Sequence, residues 1–145
     1  MKIYDKYILP RQLNKEMGSD EFNQTRKEII EKAKGIVLEM TGLGHVATMR
    51  ARLGWTNKLK EVQDKGLIIC AASQTIYGRL NPLVYSNGRE ILGTGVIYLE
   101  DMLAETAYVK LGWVLGHKEW AKSKEIVKQK MLENFSHELN DRLEE

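Results

Sequence analysis

Apolar and polar positions along this chain fall into short runs and one-sided stripes. Leu67 to Ala72, LIICAA, is an unbroken apolar run closed by Gly66 before it and by polar residues after it. It is too short for a helix and apolar on both strand faces, which predicts a strand buried inside a parallel sheet. GIVLEM, residues 35–40, predicts a second strand, and Val96 to Leu99 a last short one. Ile3 to Leu9 holds Asp5 and Lys6 within an apolar run and stops at Pro10, which predicts a first, edge strand. Residues 11–18 read as a loop, and the tail NDRLEE as a fraying end.

Helical spacing fills the intervals. Ser19 is placed to cap a helix whose stripe is Phe22, Ile29, Ile30 and Ala33, with Gly35 as a left-handed C-terminal cap. After His45 a helical segment runs to Lys65, interrupted near Gly54, with Thr56 as a second cap. Its Leu59 and Val62 face the sheet, and Gly66 ends it. Strand, helical crossover and strand make a βαβ unit. Val84 to Leu92 predicts a short helix, broken by Gly93 and Gly95. Asp101 caps a helix through Leu115 with Ala104, Tyr108, Leu111 and Leu115 on one face, and a final helix from Lys118 to Leu139 carries Trp120, Val127, Met131 and Phe135. The expected fold class is α/β, a three-layer sandwich around a small, mostly parallel sheet of about four strands. All 145 residues are read as one domain.

Two loops stand out because ligands of open parallel sheets sit beyond the carboxyl ends of the strands. One is TGLGH, Thr41 to His45, whose glycines allow close backbone approach to a ligand. The other is the polar stretch after Ala72, holding Ser73, Gln74, Tyr77, Arg79, Asn81 and Tyr85. The candidate functional residues are therefore Thr41, His45, Tyr77, Arg79, Asn81 and Tyr85.

Composition removes several classes of function. TGLGH lacks the third glycine of a dinucleotide fingerprint and the lysine of a P-loop. His45, His117 and His137 are scattered and cysteine pairs are absent, so neither metal nor any other cofactor is expected. His117 follows a helix end, where a cation suits the dipole, so a structural role is expected for it. With 22 basic and 20 acidic residues the net charge is +2, which makes no demand for nucleic acid. The single cysteine, Cys70, lies within the central strand as a small buried hydrophobe. The apolar runs fall short of a membrane span and MKIYDKYILPR lacks a signal-peptide core, so a cytoplasmic chain without membrane contact is expected.

The stretch SQTIYGRLNPLVYSNGREILGTGVI, followed by EDMLAETAYVKLGWVLGH, resembles the carboxyl-terminal half of the type I asparaginase family. Within that family it is most similar to the D subunits of archaeal glutamyl-tRNA(Gln) amidotransferases. The resemblance implies an α/β domain that helps to form a tight homodimer and lines the neighbouring subunit's catalytic site. By the same resemblance, His45 stands where type II enzymes have an asparagine that contacts substrate. The family's catalytic threonines, aspartate and lysine lie in TGGT-type and TDT-type contexts of the amino-terminal half, and neither context occurs in this sequence. The implied function is therefore a pocket wall and subunit contact rather than the nucleophile. The implied partners are the amino-terminal amidase half, the amidotransferase E subunit and, indirectly, tRNA(Gln). The alternatives are a non-enzymatic interaction or regulatory domain, or part of a type I L-asparaginase; upstream TGGT and TDT motifs discriminate the enzyme readings from the non-enzymatic one. Met40, Tyr98, Leu99 and Ala104 depart from the family pattern, which tends to glycine or proline there.

Overall fold

The structure is a computed structural model that describes residues 33–48 and 54–141. The predicted strand at residues 3–9, the helix stripe up to Ile30 and the end of the tail lie outside the described residues. Three strands form one sheet in the order β1 (Gly35–Met40), β2 (Ile68–Ser73), β3 (Ile97–Tyr98), and both pairings are parallel. The β1–β2 ladder runs from Gly35 opposite Ile68 to Met40 opposite Ser73. α1 (Thr56–Asp64) connects them, which is the expected βαβ unit. α2 (Ser86–Gly93) precedes β3, and α3 (Ala104–Gly116) and α4 (Lys124–Leu132) follow it.

Strand β2 carries the core on both faces. Ile68, Cys70 and Ala72 point into one cluster with Ile97 and Leu99, closed by Ala107, Leu111 and Val114 of α3 and Val127 and Met131 of α4. Ile69 and Ala71 point into the other, with Met40, Tyr98, Leu59 and Val62 of α1, and Ile91 of α2. Alternate side chains of one strand thus feed two helical layers, which makes the sandwich three-layered. Fully burying each Ile or Leu contributes about 1.5–3 kcal/mol. Among the described residues no helix is long and apolar enough to cross a membrane.

Helix ends depart from expectation where tertiary bonds compete with local ones. Gly35 is no left-handed cap: it opens β1, and a Cβ there would lie 2.8 Å from Leu115 Cδ1 and 2.9 Å from Leu111 Cδ2. A hydrogen at this position is what lets α3 approach the sheet. Thr56 is the first residue of α1 rather than its cap, and its hydroxyl donates to Glu90 Oε1 at 2.5 Å. Asp101 caps nothing, because α3 begins at Ala104 after an extended Leu103. The face of α3 turned to the core is Ala107, Lys110, Leu111 and Val114, with Ala104 and Leu115 partly buried beside it. The predicted final helix is two pieces, a 3-10 turn at Trp120–Lys122 and then α4, whose N-cap Ser123 accepts a hydrogen bond from the Ile126 amide at 3.3 Å. Phe135 therefore lies beyond α4, although it still meets Trp113 and Trp120 ring to ring. His117 does close α3, donating from Nδ1 to the Trp113 carbonyl at 2.8 Å.

Candidate functional site

At the carboxyl edge of the sheet, β1 ends in a tight loop and β2 in a longer polar one. The first loop closes on itself. The amides of Gly44 and His45 both donate to the Thr41 carbonyl, at 3.0 and 2.9 Å, and the Thr41 amide donates back to the His45 carbonyl at 3.1 Å. The Thr41 hydroxyl adds a further bond to that carbonyl at 3.0 Å. Gly42 and Gly44 hold φ of 50° and 101°, a region where side chains are strained. His45 is thereby presented at the rim, half-buried.

Its imidazole is the chemically conspicuous group. The Nε2 atom is buried and finds no hydrogen-bond partner among the described residues. A polar atom left so costs about 1–3 kcal/mol unless something meets it. The Tyr85 ring lies 5.4 Å away, centroid to centroid, and tilted by 58°.

The second loop braces the first. The Asn81 amide donates to the Leu43 carbonyl at 3.0 Å, and Asn81 Oδ1 accepts from the Leu83 amide at 3.2 Å, an Asx turn that leads toward α2. Ser73 and Thr75 bond each other's hydroxyls at 2.7 Å where β2 ends. The Gln74 amide continues the ladder to the Met40 carbonyl at 3.0 Å. Arg89 of α2 reaches back to the carbonyls of Leu83 and Val84 at 2.7 and 3.3 Å. Gly88 packs hard against Pro82, whose carbonyl oxygen would lie 2.5 Å from any Cβ there.

The six predicted residues do not all converge. Thr41, His45, Asn81 and Tyr85 share one rim, linked by the bonds and ring contact just described. Tyr77 stands at the tip of the second loop, 88% exposed, with Ile76 beside it at 74%. Arg79 turns the other way, donating to Glu100 Oε2 at 3.0 Å, Asp101 Oδ2 at 3.2 Å and the Asn140 carbonyl at 2.6 Å. Burial works against ionisation of Asp101, but hydrogen bonds from Asn140 and the Arg79 charge hold its carboxyl below the usual range. Glu100 has a φ of 57°, and its carbonyl accepts from the Leu80 amide at 2.8 Å. Arg79 thus ties the loop to the end of β3 and to the segment after α4.

Two polar groups lie outside the six predicted residues. Tyr98 is buried, and its hydroxyl donates to the Gly44 carbonyl at 2.9 Å, so it holds the His45 loop from β3. Burial pushes its phenol up to about 12, so it remains a donor at neutral pH. The signal available was its departure from the family pattern. Lys110, the other, lies away from the rim, on the far layer. Cys70 is no nucleophile: burial pushes its thiol up to about 12. Among the described residues no three His, Cys, Asp or Glu side chains gather as metal ligands.

Residues 20–129 match the glutaminase/asparaginase C-terminal domain family. The chain belongs to that family. Its relatives within it include the glutamyl-tRNA(Gln) amidotransferase D subunit from Thermococcus kodakarensis, 47% identical over 106 residues, a match covering 73% of this chain and 22% of the relative. The corresponding D subunit from Pyrococcus abyssi is also 47% identical over 106 residues, with the same shares of 73% and 22%. The chain thus spans about a fifth of the length of these relatives, at 22%. Among solved structures, the thermostable L-asparaginase from Thermococcus kodakarensis superposes with a TM-score of 0.70 at 28% identity, covering 82% of this chain and 34% of that one. L-asparaginase I from Vibrio cholerae, at 23% identity, shares the fold with a TM-score of 0.66 over 92% of this chain and 36% of its own. The resemblance drawn from the SQTIYG and EDMLAETA stretches and the three-layer α/β fold are thereby established.

Proposed function

We propose that this asparaginase C-terminal-type domain is the carboxyl-terminal domain of an amidotransferase D subunit, in which it walls the pocket and contacts neighbouring subunits while ammonia is released from glutamine or asparagine. The observation that carries the reading is the 47% identity to the amidotransferase D subunits over 106 residues. The nucleophile, its activating threonine, the aspartate and the lysine belong to an amidase half that these 145 residues do not contain. The partners are that half, a second copy of the same chain, the E subunit and, through it, tRNA(Gln), all in the cytoplasm. Thr41, His45, Tyr77, Asn81 and Tyr85 form the wall; Arg79 contributes by holding the loop. The exposed side chains of Ile76, Tyr77, Leu83, Val84 and Tyr85 suit a surface that a neighbouring subunit covers.

The role of each group follows from its chemistry. An amino-acid substrate offers an ammonium and a carboxylate, and the unpartnered Nε2 of His45 can donate to one or accept from the other according to tautomer. The test measures ammonia release from the chain alone and from the chain joined to the amidase half. The chain alone releases none above background, and the joined enzyme is active. In the joined enzyme His45→Ala raises KM with kcat nearly unchanged, a loss of about 1–3 kcal/mol in kcat/KM, as for one hydrogen bond to a charged group. Release from the chain alone, abolished by a substitution within it, refutes the division of labour. Unchanged KM in a folded His45→Ala enzyme removes His45 from the wall.

A further inference from the structure

The Thr41–His45 loop closes its own hydrogen bonds, yet only one side chain holds it from outside by a buried hydrogen bond among those described. Tyr98 lies on β3, opposite Ala71 of β2, while the loop follows β1 on the far side of β2. Tyr98 shares the core cluster of Ala71, Met40 and Leu80, with a small alanine as its ladder neighbour. From there its hydroxyl reaches the Gly44 carbonyl at 2.9 Å in a buried bond. The fit is tight on the other side as well: any Cβ on Gly44 would collide with the Tyr98 ring and lie 3.3 Å from Leu80 Cδ2. Gly44 is held at a φ of 101° between these groups, and His45 is the next residue.

We propose that Tyr98 is the positioning residue of this site, setting through Gly44 where the His45 imidazole is presented. A residue on the third strand thereby fixes a loop on the first, so the geometry at the rim follows the packing of β3. Burial keeps the phenol protonated, with its ionisation pushed up to about 12, so the bond persists across the neutral range. The proposal rests on the reading of His45 as a ligand contact, but its own measurements do not depend on what His45 binds.

The test is nuclear magnetic resonance on the full chain. In the wild-type protein the Tyr98 hydroxyl proton exchanges slowly enough to be seen and shows a through-space contact to the Gly44 α protons. Tyr98→Phe removes the hydroxyl alone. In that variant the Gly44 and His45 amides exchange about fivefold to tenfold faster, the scale of one lost hydrogen bond. The His45 ring signals shift, while the Cys70 and Ala71 amides keep their protection. Loop exchange and His45 signals identical to wild type, with only a lower denaturation midpoint, overturn the proposal and leave Tyr98 as core packing. Absence of the hydroxyl contact in the wild-type chain overturns it without recourse to any variant. If His45→Ala leaves KM unchanged while Tyr98→Phe loosens the loop, it is the substrate reading that falls and the positioning role that stands.

Discussion

Glu138→Gln should remove most of an acid-sensitive increment of stability that the wild-type fold carries on its outer helical layer. Lys110 is 6% exposed, on the core side of α3, and its ammonium donates to Glu138 Oε1 and to the Glu133 carbonyl, both at 2.5 Å. Glu138, 9% exposed, also accepts from the amides of Ser136 at 2.6 Å and Phe135 at 3.3 Å. Burial alone would raise its carboxyl, but these hydrogen bonds, Lys110's first, bring it from 4.5 down to about 2. At about 1.4 kcal/mol per unit of pKa the depression is worth about 3 kcal/mol. That agrees with the ~3–5 kcal/mol cost of breaking a buried pair by removing one partner. The sign follows from the direction of the shift. A depressed carboxyl binds its proton more readily in the unfolded chain, so the contribution is full above about pH 4.5 and is lost as pH falls toward 2. Near pH 3 about half of it remains. Glu61 is also held at about 2, by hydrogen bonds from Lys58 and Lys65, but it is common to both proteins and drops out of the difference. The assay is urea denaturation of wild type and Glu138→Gln at pH 7, 5 and 3. The gap in stability should be about 3 kcal/mol at pH 7, little changed at pH 5 and roughly halved at pH 3. A gap independent of pH, or one under about 1 kcal/mol at neutral pH, refutes the assignment.

Self-association, most simply as a dimer, is expected through the loops and helices of residues 77–115, where Tyr77, Leu83 and Tyr85 are 88%, 64% and 58% exposed; sedimentation velocity should show concentration-dependent mass, and a monodisperse monomer at high concentration contradicts it. Two glycines should respond differently to alanine. At Gly35 the new methyl meets side-chain atoms alone, the Cδ atoms of Leu115 and Leu111 and the Leu111 Cγ, so the loss is about 1 kcal/mol; at Gly88 it meets the Pro82 carbonyl, which cannot move alone, so the loss is about 2–3 kcal/mol despite alanine's better helix propensity. Equal thermal shifts for the two variants contradict that ranking.

How far the sequence carried depended on whether a feature is decided locally. The central strand was legible because LIICAA is apolar at every position, and only a strand covered on both sides uses both parities. Leu59 and Val62 were legible for the same reason, a stripe of fixed period with one place to go. The end of α1 was legible too, because Gly66 takes a φ of 93° that few other residues adopt without strain. Failures cluster where a side chain has two competing partners. Asp101 has the chemistry of an N-cap, but Arg79 and Asn140, the latter distant in sequence, take its carboxylate. Trp120 and Phe135 share a helical stripe in sequence, yet Ser123 starts a new helix between them and the rings meet by tertiary packing instead.

The candidate site divides along the same line. Glycines 42 and 44 announce an unusual backbone, so the His45 loop could be singled out from residue types alone. Arg79 and Asn81 are equally polar and lie in the same loop, but composition does not say that one pairs with Glu100 and the other carries a turn. Tyr98 is the clearest case. In sequence it is an aromatic residue in a short apolar strand, for which core packing is the natural expectation, and its ring does pack in the core. Its hydroxyl acquires a purpose only when β3 is set two strands away from the end of β1, with Ala71 between. Its departure from the family pattern marks the position, but a role that depends on the register of three strands cannot be read from that mark. Arg79 and Tyr98 reach the loop from opposite directions: one is a candidate ligand contact by sequence and braces the loop, the other is marked in sequence only as a departure from the family pattern and reaches the backbone beside His45.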